Sequence, residues 1–177
     1  CINMNSMPNL PDSLKVIGPL TFQGTHMGEM EIPEGIEVLG NLSFMQTEAS
    51  EICIPASVIR IDHFAFMASQ LQSLTFADNS QLKSIGVMSF GSCIDLDDVE
   101  LPEGLESIGS GAFSGCTSLT TVHIPSTVTS IGKVGDAKRL IQELLNLFDE
   151  FEYVDSMVEQ LEFFLDNSMN PYYGCMN

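Results

Sequence analysis

A unit of 22 to 25 residues recurs between Leu10 and Gly132, and it restricts the possible folds more than any other feature of the chain. Leu10-Pro11, Ile32-Pro33, Ile54-Pro55, Leu101-Pro102 and Ile124-Pro125 mark one point of successive units, with Phe76-Ala77 as a degenerate copy. The steps are 22, 22, 22, 25 and 23 residues. Each mark is followed by an apolar pair three apart: Leu14/Ile17, Ile36/Leu39, Val58/Ile61, Leu82/Ile85, Leu105/Ile108 and Val128/Ile131. Gly or Asp comes next every time, at Gly18, Gly40, Asp62, Gly86, Gly109 and Gly132. A small residue and a phenylalanine follow in the first five units, at Thr21-Phe22, Ser43-Phe44, Ala65-Phe66, Ser89-Phe90 and Ala112-Phe113. Three residues beyond each ring stand Thr25, Thr47, Ser69, Cys93 and Cys116. Five full units in one register exclude coincidence.

One unit holds too few apolar side chains to bury a core of its own, so units must stack and share columns of like residues. The phenylalanines should form the spine, each ring contributing on the order of 1.5 to 3 kcal/mol by burial. The triplets Leu96/Val99/Leu101 and Leu119/Val122/Ile124, and the pair Leu74/Phe76, end on an alternation that fits a strand. These strands are expected to pair at about 4.8 Å into one parallel sheet along a face. The Gly after each apolar pair is expected to supply a positive-φ turn, and the stretch through Phe has room for about one helical turn.

The unit Leu101–His123, LPEGLESIGSGAFSGCTSLTTVH, resembles the BspA-like leucine-rich repeat almost position for position. The resemblance covers residues 10 to 132. It implies a mostly β repeat solenoid, with residues 1 to 132 as about five and a half units, and it implies surface or secreted proteins that hold other proteins.

Six Lys and Arg against 24 Asp and Glu give a net charge of -18, which repels phosphate backbones and anionic lipid. Nucleic acid is therefore not an expected partner. No apolar run approaches the roughly 20 residues of a membrane helix, so membrane insertion is not expected either. The five cysteines form no CxxC pair and no Cys/His cluster, which points to neither a zinc site nor a disulfide scaffold. The chain opens at Cys1 without Met, which reads as a trimmed product, with a lipidated cysteine as the alternative.

No constellation for catalysis is present. His26, His63 and His123 lie in different units at different unit positions, and there is no GxSxG, SxxK, GxxxxGK or GxGxxG. No enzyme activity, metal or cofactor is expected. Cys93 and Cys116 share a column with Thr and Ser, so that position selects size rather than sulfur chemistry. Outward positions before each mark carry Glu31, Cys53, Thr75, Glu100 and His123, and two residues earlier Glu29, Glu51, Ser73, Asp98 and Thr121. Glu29, Glu31, Glu51, Asp98 and Glu100 make this face a candidate surface for a basic protein. A solvated face kept soluble by charge accounts for the same acids. The run Asp95, Asp97, Asp98, Glu100 lacks the DxDxDG loop of a calcium site. Asn41-Leu42-Ser43 is a glycosylation sequon whose use rests on Asn41 facing out.

From 133 to 177 the period changes. Apolar residues from Ile141 to Leu165 recur at steps of mostly three and four, after Asp136 as an N-cap, so a helical cap or interaction segment is expected there. A single helix from Asp136 to Asp166 would run roughly 46 Å, against roughly 24 Å for six stacked units. A break near Tyr153 to Ser156 is expected. Residues 140 to 177 hold seven of the 14 aromatics and eight acids without Lys or Arg. Phe163, Phe164, Tyr172 and Tyr173 are the contact candidates of that segment, toward a protein partner or a second copy. The function expected overall is a non-enzymatic protein-binding or adhesion module, and the alternative is a structural subunit that assembles into a filament or coat.

Overall fold

The computed structural model describes residues 7–28 and 30–133. The expected helical segment from Asp136 onward lies outside them. The described residues form a stack of like coils, each made of three runs joined at corners: a short strand, a turn carrying the phenylalanine, and a second extended run that ends at the proline mark.

The first run builds the continuous sheet. Strands β1 (Val16–Ile17), β2 (Val38–Leu39), β4 (Arg60–Ile61), β6 (Ser84–Ile85), β8 (Ser107–Ile108) and β10 (Ser130–Ile131) pair in parallel as one six-stranded ladder in that order. Its register sets Ile17, Leu39, Ile61, Ile85, Ile108 and Ile131 opposite one another. All but the last are buried.

The second run, expected to form the single sheet, instead gives two separate ladders. Strand β3 (Glu51–Ile54) pairs with β5 (Ser73–Phe76), and β7 (Val99–Glu100) pairs with β9 (Val122–His123). The reason is unit length. From Phe66 to Leu74 the chain takes eight residues, whereas from Phe90 to Val99 and from Phe113 to Val122 it takes nine. The count changes between β5 and β7, and there the ladder stops.

The phenylalanine spine is present. Phe22, Phe44, Phe66, Phe90 and Phe113 stack with centroid separations of 5.3, 5.0, 5.2 and 5.4 Å. They stand in one core with Ile17, Leu39, Ile61, Ile85 and Ile108 from the first run and Ile52, Leu74 and Val99 from the second.

Two local expectations are corrected. The phenylalanine stretches are turns rather than helical, because alternate N–H groups reach across to the next coil. Phe22 donates to Ser43 O, Phe44 to Ala65 O, Phe66 to Ser89 O and Phe90 to Ala112 O, at 2.7 to 2.9 Å. Positive φ at Leu20, Leu42, Phe64 and Met88 interrupts the right-handed run a helix needs. The second correction concerns Gly18, Gly40, Gly86, Gly109 and Gly132, none of which has positive φ. Close approach explains most of them. A Cβ at Gly40 would lie 2.7 Å from Ile17 O, one at Gly86 2.5 Å from Asp62 C, and one at Gly109 2.4 Å from Gly86 C. Each of these glycines donates its N–H to the preceding coil, as Gly109 does to Ile85 O at 2.7 Å. The coils can come that close only where no side chain intervenes.

At the proline corners, a turn closes by N–H donation three residues on, from Ile36 to Pro33 O, Val58 to Pro55 O and Leu105 to Pro102 O. Side chains tie these corners together. The Glu34 carboxylate accepts from the Ala56 N–H at 2.9 Å and from the Ser57 N–H at 3.2 Å.

Candidate protein-binding face

The two outer faces differ in how their charge is balanced. On the six-stranded face, Lys15 pairs with Glu37 (3.3 Å), Arg60 with Asp62 (2.6 Å) and Lys83 with Glu106 (3.1 Å). Lys133 follows β10. These four are all the Lys and Arg among the described residues, so the second face has none. It carries Glu31, Glu51, Asp98 and Glu100, all exposed. Glu51 stands opposite Ser73, Cys53 opposite Thr75 and Glu100 opposite His123. Asp98 accepts a hydrogen bond from the Thr120 hydroxyl at 2.6 Å.

The structure thus sets Glu31, Glu51, Asp98 and Glu100 on one surface. Glu29, Phe163, Phe164, Tyr172 and Tyr173 lie outside the described residues. The alternation of the strand places each acid outward because its neighbours, such as Ile52, Ile54 and Val99, fill the core. A carboxylate row without cations sustains a negative potential over its whole length, whereas paired charges cancel within a few ångströms.

Sequence reasoning missed a cleft where the second face meets the proline corner. It measures about 730 Å³ and opens beside the gap between β5 and β7, lined by Leu74 to Ser80, Glu100 to Glu103 and His123 to Pro125. Its signals in the sequence are the 25-residue step and Ala77 standing where the other units have proline. On the six-stranded face a shallower groove of about 520 Å³ has a floor of Ser84, Ser107, Gly86 and Gly109, with Arg60 and His63 at one end.

The titratable groups off the acidic face have structural roles. The His63 ring is half-buried and its Nδ1 accepts from the Val87 N–H at 2.9 Å; desolvation holds its pKa below the usual histidine value. The His26 ring pairs with Glu48 at 2.6 Å. The hydrogen bond from the Ala56 N–H holds the Glu34 carboxyl below its ordinary range. Asn41 Oδ1 accepts from the His63 N–H at 3.0 Å, and Ser43 is buried with no partner for its hydroxyl. In the small-residue column, Thr25, Thr47 and Ser69 donate to the carbonyl of the phenylalanine three residues back. Cys93 and Cys116 instead donate to the phenylalanine carbonyl one coil earlier, Phe66 O and Phe90 O. Burial pushes the Cys93 thiol up to about 11 and the Cys116 thiol up to about 12. Cys53 is exposed and free. Among the described residues no group of three or more His, Cys, Asp or Glu is placed to hold a metal ion, and no helix is long and apolar enough to cross a membrane.

The fold matches solved proteins. A leucine-rich repeat protein from Bacteroides ovatus is 24% identical with a TM-score of 0.54, over 72% of this chain and 39% of that one. A leucine rich cell surface protein from Faecalibacterium prausnitzii is 27% identical over 60% of this chain and 38% of that one, at a TM-score of 0.45. A leucine-rich repeat protein of T. pallidum is 22% identical over 72% of both chains, at 0.48. The chain therefore spans about two-fifths of the length of the Bacteroides and Faecalibacterium proteins, 39% and 38%. Among curated proteins no sequence match is found. The profile of the BspA type leucine rich repeat region matches in six copies, over residues 1–99 and 77–135. Six matched copies, a stacked phenylalanine column and a parallel ladder of like coils converge, and the chain belongs to the BspA-type leucine-rich repeat family.

Proposed function

We propose that this chain is a non-enzymatic protein-binding module that engages a partner bearing basic groups through its second face. The observation carrying the reading is the segregation of charge: three ion pairs neutralise the six-stranded face, while Glu31, Glu51, Asp98 and Glu100 face solvent with no Lys or Arg beside them. A rigid solenoid presents such a row at fixed spacing, which suits an extended partner. Adhesion at a surface or in a secreted setting is the form of binding that family analogy favours, with a cytoplasmic setting as the alternative. The decisive experiment is a pull-down from the native surroundings at low and high salt. Captured proteins should carry basic patches and should be lost as salt screens the charges. Partners that are acidic, or whose retention is indifferent to salt, would refute the reading.

A second reading, assembly of copies into a filament, draws on the ladder itself. Strands β1 and β10 are the two edges of one parallel sheet in constant register, a geometry that head-to-tail copies could extend. Light scattering across concentration separates the two readings. A constant monomer mass supports the binding module, and open-ended growth supports the subunit.

A further inference from the structure

We infer that the cleft beside the gap between β5 and β7 is a receptor for an arginine side chain of the partner. This rests on the reading of the second face as the binding face. The cleft exists because the fourth unit is irregular. Where other units take three residues from proline to the next core position, as from Pro55 to Val58, the chain takes five from Ala77 to Leu82. Asn79 turns the enlarged loop at φ 58°. Strand β5 pairs back to β3 and β7 pairs forward to β9, so no ladder closes the space between them.

The lining suits one chemistry. Phe76, Ile124 and Pro125 supply apolar surface, and Ile124 is 38% exposed. Asp78, Glu100 and Glu103 stand around it as exposed acids, and none is in an ion pair among the described residues. A flat, weakly hydrated guanidinium stacks on apolar and aromatic surface while its edge donates to carboxylates. An ammonium is a compact, strongly hydrated charge that gains less from such walls. A neutral apolar side chain would leave the acids uncompensated. The remainder of the row, Glu31 and Glu51, adds long-range attraction without a pocket.

The test is an NMR titration of the full chain at low salt with a short extended peptide holding one central arginine, alongside citrulline and lysine versions. The arginine peptide should shift amides of residues 74 to 80, 100 to 103 and 123 to 125, and citrulline should not. Glu100→Gln with Glu103→Gln, both exposed positions, should weaken binding about tenfold. Glu51→Gln should change it less than about twofold, the effect of a screened rim charge. Shifts spread along Glu31, Glu51 and Asp98 with equal losses in both variants would overturn the receptor and leave the acidic face standing. Equal affinity for the lysine peptide would overturn the choice of arginine. Absence of binding by every basic peptide at low salt would overturn the face as well.

Discussion

Truncating Phe66 should show how strongly the coils depend on one another. The ring is fully buried, with Phe44 at 5.0 Å on one side and Phe90 at 5.2 Å on the other, nearly parallel to both. Phe66→Ala removes the apolar contact and opens a cavity whose floor and ceiling are rings of neighbouring coils. Those rings cannot close in, because inter-coil hydrogen bonds hold the spacing on either side, from Phe44 N–H to Ala65 O and from Phe66 N–H to Ser89 O. A site that cannot collapse falls in the upper part of the range for such substitutions, so the loss should be about 4 to 5 kcal/mol. Phe22, at the first coil, has one stacked ring and is 4% exposed. Phe22→Ala should cost less by about 1 kcal/mol, the worth of one ring pair. Urea denaturation followed by far-UV circular dichroism reads both variants, since the chain has no Trp. A loss below about 1 kcal/mol for Phe66→Ala, or a cost for Phe22→Ala equal to or above that for Phe66→Ala, would refute the argument.

Gly109→Ala should destabilise by about 3 kcal/mol or more, because its Cβ would meet the backbone of Gly86 and Val87 at 2.4 Å. Gly28→Ala, with nothing within 4 Å, should stay within about 0.5 kcal/mol in the same urea denaturation. A bulky maleimide should modify Cys53 in the native protein and spare the buried Cys93 and the partly buried Cys116, whose thiols burial pushes up to about 11 and about 12. Mass mapping that finds Cys93 modified before Cys53 would reverse the inside and outside assignment. His63 is favoured neutral in the fold, so its contribution is present above the ordinary value of 6.5 and is lost as pH falls through its lowered folded value. Stability should therefore drop on acidification below about pH 6.5, and His63→Asn should flatten that slope. An unchanged slope would refute the assignment.

The repeat, the inward columns and the outward acids were all legible in the sequence, because burial selects side-chain type and stacking repeats the selection in every unit. That is why Phe22 to Phe113 and the exposed row Glu31, Glu51, Asp98 and Glu100 could be placed from spacing alone. Which run forms the continuous sheet was not legible. Val16–Ile17 and its equivalents win over the longer alternating run because hydrogen bonding between coils depends on equal backbone lengths, to which side-chain alternation is blind. The role of Gly40, Gly86 and Gly109 was likewise invisible in one unit, since the atoms that exclude a Cβ belong to the coil before. The cleft beside Phe76 and the ion pairs Lys15–Glu37 and Lys83–Glu106 arise from neighbours 22 or more residues apart in the chain. Sequence shows what each coil offers, and only stacking decides what meets.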